Sequence, residues 1–201
     1  MKNRFYLVRH GKTKKQIGDP PLSIKGIKQA RSTAKYFKLL PIQKLLASPI
    51  IRTQQTAQYI ADVLALDVVT LNLLRERVNW GDDPNQTFDD FLAMWQRASL
   101  ERNWQPPVGD SSYAAGERIC KIISSTPDEL SHIVLVTHGG IITDFLRNVF
   151  EASLLDNRLT NFSKAKDGSL IECSITIVDY YTDKSAYDLV ELGSTSHLHE
   201  L

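Results

Sequence analysis

Phe5-Tyr6-Leu7-Val8-Arg9-His10-Gly11 decides the reading of this chain. Four consecutive apolar residues give way at once to a cation, an imidazole and a glycine. A run so short and so uniformly apolar suits a strand buried on both faces, which belongs inside a sheet and not at its edge. Working outward, Ile27, Ala30, Ala34 and Phe37 recur every three or four residues and predict a one-faced helix over 22–40, stopped by Pro41. Residues 44–47 read as a second short strand, and Thr53, Ala57, Ile60 and Leu64 predict an amphipathic helix directly after Ser48-Pro49. Further on, 68–73 and 133–136 read as strands, 112–125 as a helix, and 140–150 as a helix starting just after Gly139. The last third changes period: 170–180 and 186–192 alternate as strands about a turn at Asp183-Lys184, a hairpin expected to finish the sheet. Strand alternating with helix implies an α/β fold, a three-layer α/β/α sandwich on a mainly parallel central sheet.

One stretch interrupts the alternation. Residues 77–109 hold the turn Gly81-Asp82-Asp83-Pro84 and all three tryptophans, and read as an insertion with one helix. Phe88, Phe91, Leu92 and Trp95 share a helical face there, and Thr87 and Asp90 have the spacing of a capping box. This small helical cap is the one embellishment expected on a single domain spanning 1–201, a length ordinary for one domain. Trp80, Trp95 and Trp104 are expected to pack the cap.

Composition narrows the function classes. The chain is 42% hydrophobic and 23% charged, the balance of a globular protein and not of a disordered or collagen-like one. Twenty-four Lys and Arg against 23 Asp and Glu leave a net charge of +1, too little for a broad nucleic-acid or lipid footprint. Any anion site must be local. Two cysteines, Cys120 and Cys173, neither form a zinc quartet nor a disulfide scaffold, and are expected to be reduced and buried. The start of the chain is too short in apolar residues for a signal-peptide core or membrane span, so a cytoplasmic protein is expected. No feature of the sequence sets an oligomeric state.

Ligands of such sheets bind outside the carboxyl ends of the strands, and three of those ends carry anion-binding chemistry. Arg9-His10-Gly11 follows the first strand, Ser48 to Arg52 the second, and Thr137-His138-Gly139-Gly140 leads into a helix N-terminus. Arginine offers a planar fork to two phosphate oxygens, and a helix start adds unpaired amides. Arg52 stands in the first turn of a helix, where a cation is unfavourable unless an anion compensates it.

These residues fall into an ordered pattern: Arg9-His10-Gly11-x-Thr13, Pro21-Leu22-Ser23-x-x-Gly26-x-x-Gln29-Ala30, Ser48-Pro49-x-x-Arg52-x-x-Gln55-Thr56-Ala57, Leu74-x-Glu76, Gly109-Asp110-Ser111 and Val136-Thr137-His138-Gly139-Gly140. The pattern resembles the histidine phosphatase superfamily, in its phosphoglycerate-mutase-like branch, over most of 4–150. A weaker echo reaches Cys173-Ser174-Ile175-Thr176 and Thr195-x-His197-Leu198. The resemblance implies that His10 is the nucleophile that becomes phosphorylated, that Arg9 and Arg52 clamp the phosphate, and that His138 is the second pocket histidine. It implies Glu76 as proton donor. The acid-phosphatase branch places an Asp directly after the second histidine, whereas Gly139 stands here among the phosphate-binding positions. Two positions depart from the relatives: Lys12 where an acidic residue is common, and Gln16, still a phosphate donor, where Asn is common.

The set supplies what phosphoryl transfer needs: an aligned nucleophile, neutralisation of the equatorial oxygens and a proton for the leaving alkoxide. Arg9 and Arg52 should keep His10 neutral, a backbone carbonyl can fix its tautomer, and His138, if protonated, can stabilise growing charge. The same two guanidiniums would repel a dication at His10, His138 and Glu76, so neither metal nor other cofactor is expected. Lys12, Lys14 and Lys15 form a basic run expected at the pocket rim, while His132, His197 and His199 are expected at the surface.

The expected function is hydrolysis of a small phosphorylated metabolite by a metal-independent phosphomonoesterase through a phosphohistidine, with neither nucleic acid nor membrane as partner. Phosphoglycerate mutase is the rival of like chemistry; it must shield its phosphoenzyme from water, and the stretch 193–201 offers little such cover. A module that binds a phospho-ligand or phosphoprotein without turnover is the rival of another class.

Overall fold

A computed structural model describes residues 1–164 and 170–198. Four strands, β1 (Lys2–Arg9), β2 (Lys44–Ala47), β3 (Val68–Thr70) and β4 (His132–Thr137), run parallel, and β5 (Ile175–Tyr181) and β6 (Ala186–Ser194) add an antiparallel edge. The order is β3-β2-β4-β1-β5-β6, so the Phe5 strand is internal, flanked by β4 and β5. Its alternate residues feed two cores. Phe5 and Leu7 pack on one face with Ile119 and Ile123 of α4 (Ser112–Ser124) and Phe145 of α5 (Gly139–Val149). Tyr6 and Val8 pack on the other with Ala34 and Phe37 of α1 (Ile24–Phe37) and Ala57 and Ile60 of α2 (Ile51–Leu64). A continuous apolar strand between two helical layers is the physical content of the α/β/α sandwich. Arg4 pairs with Asp179 across the β1–β5 ladder, Nε to Oδ1 at 2.6 Å and the second arm to Oδ2 at 2.8 Å, which helps fix the antiparallel register.

Several element boundaries differ from the sequence expectation. α1 ends at Phe37, four residues before Pro41, and begins where the Ser23 side chain accepts from Gly26 N. The third strand stops at Thr70, and Asn72–Leu74 form a 3-10 turn. β5 starts at Ile175, because Glu172 and Cys173 occupy a turn with Cys173 at φ 60°. A short helix after α5, α6 (Ala152–Arg158), was not expected. Within 77–109 the helix α3 (Phe88–Leu100) carries the Thr87–Asp90 capping box with both reciprocal bonds made. Cys173 is buried and Cys120 only half-buried; burial pushes their thiols up to about 12 and about 11. Two of the three outlying histidines are also not surface groups. His132 Nδ1 bonds Tyr6 at 3.0 Å and His197 Nε2 bonds Thr33 at 3.1 Å, both half-buried, while His199 lies outside the described residues. No helix among the described residues is long and apolar enough to cross a membrane.

The loop after β1 is clamped to α1. Lys12 N donates to Gln29 Oε1 at 2.9 Å, Ser23 N donates to Lys12 O at 2.8 Å, and Gly26 lies so close that a Cβ there would meet Lys12 O at 2.0 Å. Alanine in a helix normally gains about 1 kcal/mol over glycine. Here the clash is with backbone that cannot rotate away, so it outweighs that gain. Gly26→Ala is expected to lose about 3 kcal/mol, a fall in Tm of roughly 6–12 °C in thermal unfolding.

Candidate active site

Strand register brings the two histidines together. β1 and β4 pair in parallel with Arg9 opposite Thr137, and the ladder runs one bond further, His10 N donating to Thr137 O at 2.9 Å. The next residues to leave the sheet are therefore neighbours: the His10 and His138 rings lie 5.2 Å apart between centroids. β2 flanks β4 on its other side, so Ser48, leaving that strand, bonds His138 Nε2 through Oγ at 2.9 Å. α2 then carries Arg52 back over His10.

His10 has its tautomer set by the chain itself. Nδ1 lies 2.9 Å from Gly11 O, which can only accept, so Nδ1 carries the proton and Nε2 the lone pair. Arg52 Nε donates to that lone pair at 3.2 Å, and the second arm of the guanidinium donates to Asn79 Oδ1 at 2.7 Å. Asp19 supplies the anion that a cation at this helix start calls for. Its carboxylate caps α2 at Ile51 N (3.0 and 2.9 Å) and stands 3.7 Å from Arg52. The compensating charge thus comes from the chain as well as from any ligand.

Glu76 is held by two amides, Oε1 accepting from Arg77 N at 2.9 Å and Oε2 from Gly140 N at 2.9 Å, the latter in the first turn of α5. Gly139 is the first residue of that helix, and a Cβ there would meet Arg9 Cδ at 3.2 Å, so glycine lets the Arg9 side chain lie across the helix start. Arg9 is tethered by one arm to Leu170 O, and its Nε is without a partner among the described residues. The Nδ1 of His138, 1% exposed, is likewise without one. Ser48 Oγ can donate to Nε2 or accept from it, so Nδ1 is a buried polar atom, N–H or lone pair, with no partner among the described residues. An unmade buried bond of this kind costs about 1–3 kcal/mol until a partner arrives.

Burial, then the Arg52 and Arg9 charges, hold the His10 imidazole well below its usual pKa of 6.5. Burial, then His10 and the two arginines, do the same to His138. The direction of both shifts disfavours an imidazolium on either ring unless an anion stands beside it, so the condition that His138 be protonated needs a bound anion to be met. The unfolded chain takes up protons on these two rings below about pH 6.5 while the folded chain does not, so stability falls as pH drops through that window. The slope is about 1.4 kcal/mol per pH unit for each ring. Asp144, raised to about 6 by burial against the opposing pull of Arg77, acts in the opposite sense between about pH 4 and 6. Nitrogen-15 NMR titration is expected to show both rings neutral at pH 6; a midpoint near 6.5 for either overturns the assignment.

These groups meet at the base of a cleft of about 560 Å³. A family model, the histidine phosphatase superfamily (branch 1), matches residues 5–192. This chain belongs to that superfamily. A probable phosphoglycerate mutase GpmB of Yersinia pestis is 30% identical, with 97% of this chain and 94% of the relative covered. Among solved structures, Bacillus stearothermophilus YhfR superposes with a TM-score of 0.73 at 22% identity, covering 98% of this chain and all of the other. A mycobacterial glucosyl-3-phosphoglycerate phosphatase gives 0.71 at 22%, covering 97% and 100%. A phosphoserine phosphatase of Entamoeba histolytica gives 0.71 at 23%, covering 98% and 99%. A histidine phosphatase superfamily member is a phosphatase or phosphoryl-transfer enzyme, the coarser half of the sequence expectation.

In this histidine phosphatase superfamily chain, Arg9, His10, Gln16, Arg52 and Glu76 line the cleft, and His138 and Gly139 lie directly behind them. Lys12, Lys14 and Lys15 are exposed and line no part of it. Trp80 and Trp95 face the cleft and do not merely pack the cap, while Trp104 stacks under Arg97, 4.2 Å from its ring centroid. Sequence reasoning missed Asp19, Asn79 and the buried Arg77–Asp144 pair at 3.2 Å. None carried a local signal: even Asp19 caps a helix whose first residue, Ile51, lies 32 positions further on.

Proposed function

We propose that this chain is a metal-independent phosphomonoesterase that hydrolyses a small phosphorylated compound through a phosphohistidine on His10. One observation carries the reading: the His10 Nε2 lone pair faces a guanidinium at the cleft base while Nδ1–H is locked to Gly11 O. A neutral imidazole so oriented attacks phosphorus through Nε2, and Arg52 exchanges its bond to that nitrogen for the incoming phosphoryl oxygens. Arg9, Gln16 and the α5 start at Gly139 supply further donors, and His138, with Ser48 Oγ donating to Nε2, turns Nδ1–H to an equatorial oxygen. Glu76 gives its proton to the leaving oxygen, then takes one from the water that attacks the phosphohistidine. A guanidinium on the His10 lone pair occupies the place a metal ion would need, which supports chemistry without metal. In this reading 1–201 is one domain, with 77–109 a cap over the substrate, working in the cytoplasm where both cysteines stay thiols.

The test is phosphate release from 4-nitrophenyl phosphate in excess chelator, with an acid-labile label trapped on His10 by rapid quench. Loss of activity in chelator, or no labelled histidine at any time, overturns the proposal. Mutase chemistry is the second reading, favoured by the likeness to the probable phosphoglycerate mutase along the whole chain. Mutase turnover exceeding phosphate release would select it. Tight phosphate-ester binding with no phosphoenzyme would select the module without turnover, against which stand groups suited to every chemical role.

A further inference from the structure

The far wall of the cleft is a ladder of rings. Trp80 lies 5.3 Å from Phe88 and 5.7 Å from Phe91, and Phe91 lies 6.0 Å from Trp95, all as centroid separations. Leu92 and Phe88 add to this wall and are 37% and 52% exposed. Exposed apolar side chains grouped in a cleft mark a ligand surface. The innermost ring is held from behind, with Arg77 Cζ 3.7 Å from the Trp95 centroid and the Arg77 guanidinium itself paired to Asp144.

The wall adjoins the proton donor. A Cβ built on Gly140 would meet Trp95 Cη2 at 2.6 Å and the two Glu76 oxygens at 2.7 and 2.8 Å, so the ring edge and the carboxylate crowd one point. Whatever alcohol receives the Glu76 proton leaves along the rings. Among the described residues lining the cleft, the only cations are Arg9 and Arg52, both on the phosphate side, and the only carboxylate is Glu76. A carboxylate on the alcohol portion would therefore lie against the negative faces of the rings with no cation to pair it.

We infer that the cleft selects phosphomonoesters whose alcohol portion is a flat apolar group, over small esters carrying a second negative charge. The inference rests on the proposed phosphate-ester site and names its substrate class. Calorimetry on the full chain with three non-hydrolysable phosphonates tests it: 1-naphthylmethylphosphonate, methylphosphonate and 3-phosphonopropionate. The naphthyl compound is expected to bind at least tenfold more tightly than methylphosphonate, and the carboxylate compound no more tightly. Phe88→Ala combined with Leu92→Ala, both on the solvent side of α3, should reduce the naphthyl advantage to within about threefold while leaving methylphosphonate affinity unchanged. Equal affinities, a preference for the carboxylate compound, or an advantage untouched by the double variant overturns the inference. Selective naphthyl binding without phosphate release from any ester would sink the hydrolase reading and leave this one standing. Hydrolysis with no ring preference would do the reverse, and binding of none of the three overturns both.

Discussion

His10→Ala is expected to lower phosphate release from 4-nitrophenyl phosphate by roughly 10⁴-fold or more, the scale seen when a covalent nucleophile is removed. The reason is local. Nε2 is the lone pair that Gly11 O leaves free on the ring, and Arg52 already aims at it. No neighbour can take over: the other ring nearby, His138, has its Nε2 bonded to Ser48 and is buried behind His10. The acid-labile label should vanish in the same variant, and far-ultraviolet circular dichroism should match the parent. Retention of full activity would remove His10 from the chemistry and with it the proposed intermediate.

Glu76→Gln is expected to separate the two half-reactions. General acid catalysis is worth about 10²–10⁴-fold, and most where the leaving alkoxide is a strong base. An alkyl phosphate should therefore lose about 10³-fold, and 4-nitrophenyl phosphate, whose leaving oxyanion is weakly basic, much less in its first step. The second step needs the same carboxylate to draw a proton from water, so the phosphoenzyme should accumulate and nitrophenolate should appear as a burst. The glutamine also meets two backbone donors, Arg77 N and Gly140 N, with a single acceptor oxygen, so one amide loses its partner. Equal losses for the alkyl and aryl esters, with no burst, would mean that Glu76 positions the α5 start and transfers no proton.

Much of the fold was legible because its signals are local. Phe5 to Val8 are buried on two faces because four apolar residues in a row leave no polar side to turn outward. The Thr87–Asp90 pair forms its capping box because both partners lie within one turn. Pro41 misled: it forbids a helix but does not sustain one to its doorstep, and the chain leaves α1 at Phe37. Residues 170–174 read as strand by apolarity, yet Cys173 N bonds back to Arg9 O at 2.9 Å, so the segment spends its hydrogen bonds closing over the first strand's exit. His132 and His197, polar by type, are drawn inward by Tyr6 and Thr33, partners 126 and 164 positions away.

By itself the sequence determined which segments must be strand or helix, that the sheet is mainly parallel, and that cations and imidazoles follow three of its strand ends. Each follows from side-chain period and chain chemistry within about twenty residues. Only the tertiary structure decided that His10 and His138 stand 5.2 Å apart, that burial lowers the pKa of both, that Asp19 serves Arg52, and that a wall of rings faces them. Convergence depends on the β1–β4 register, protonation on water excluded by many distant residues at once, and the wall on how α3 folds back over the strand ends. None of these quantities belongs to any short stretch of chain.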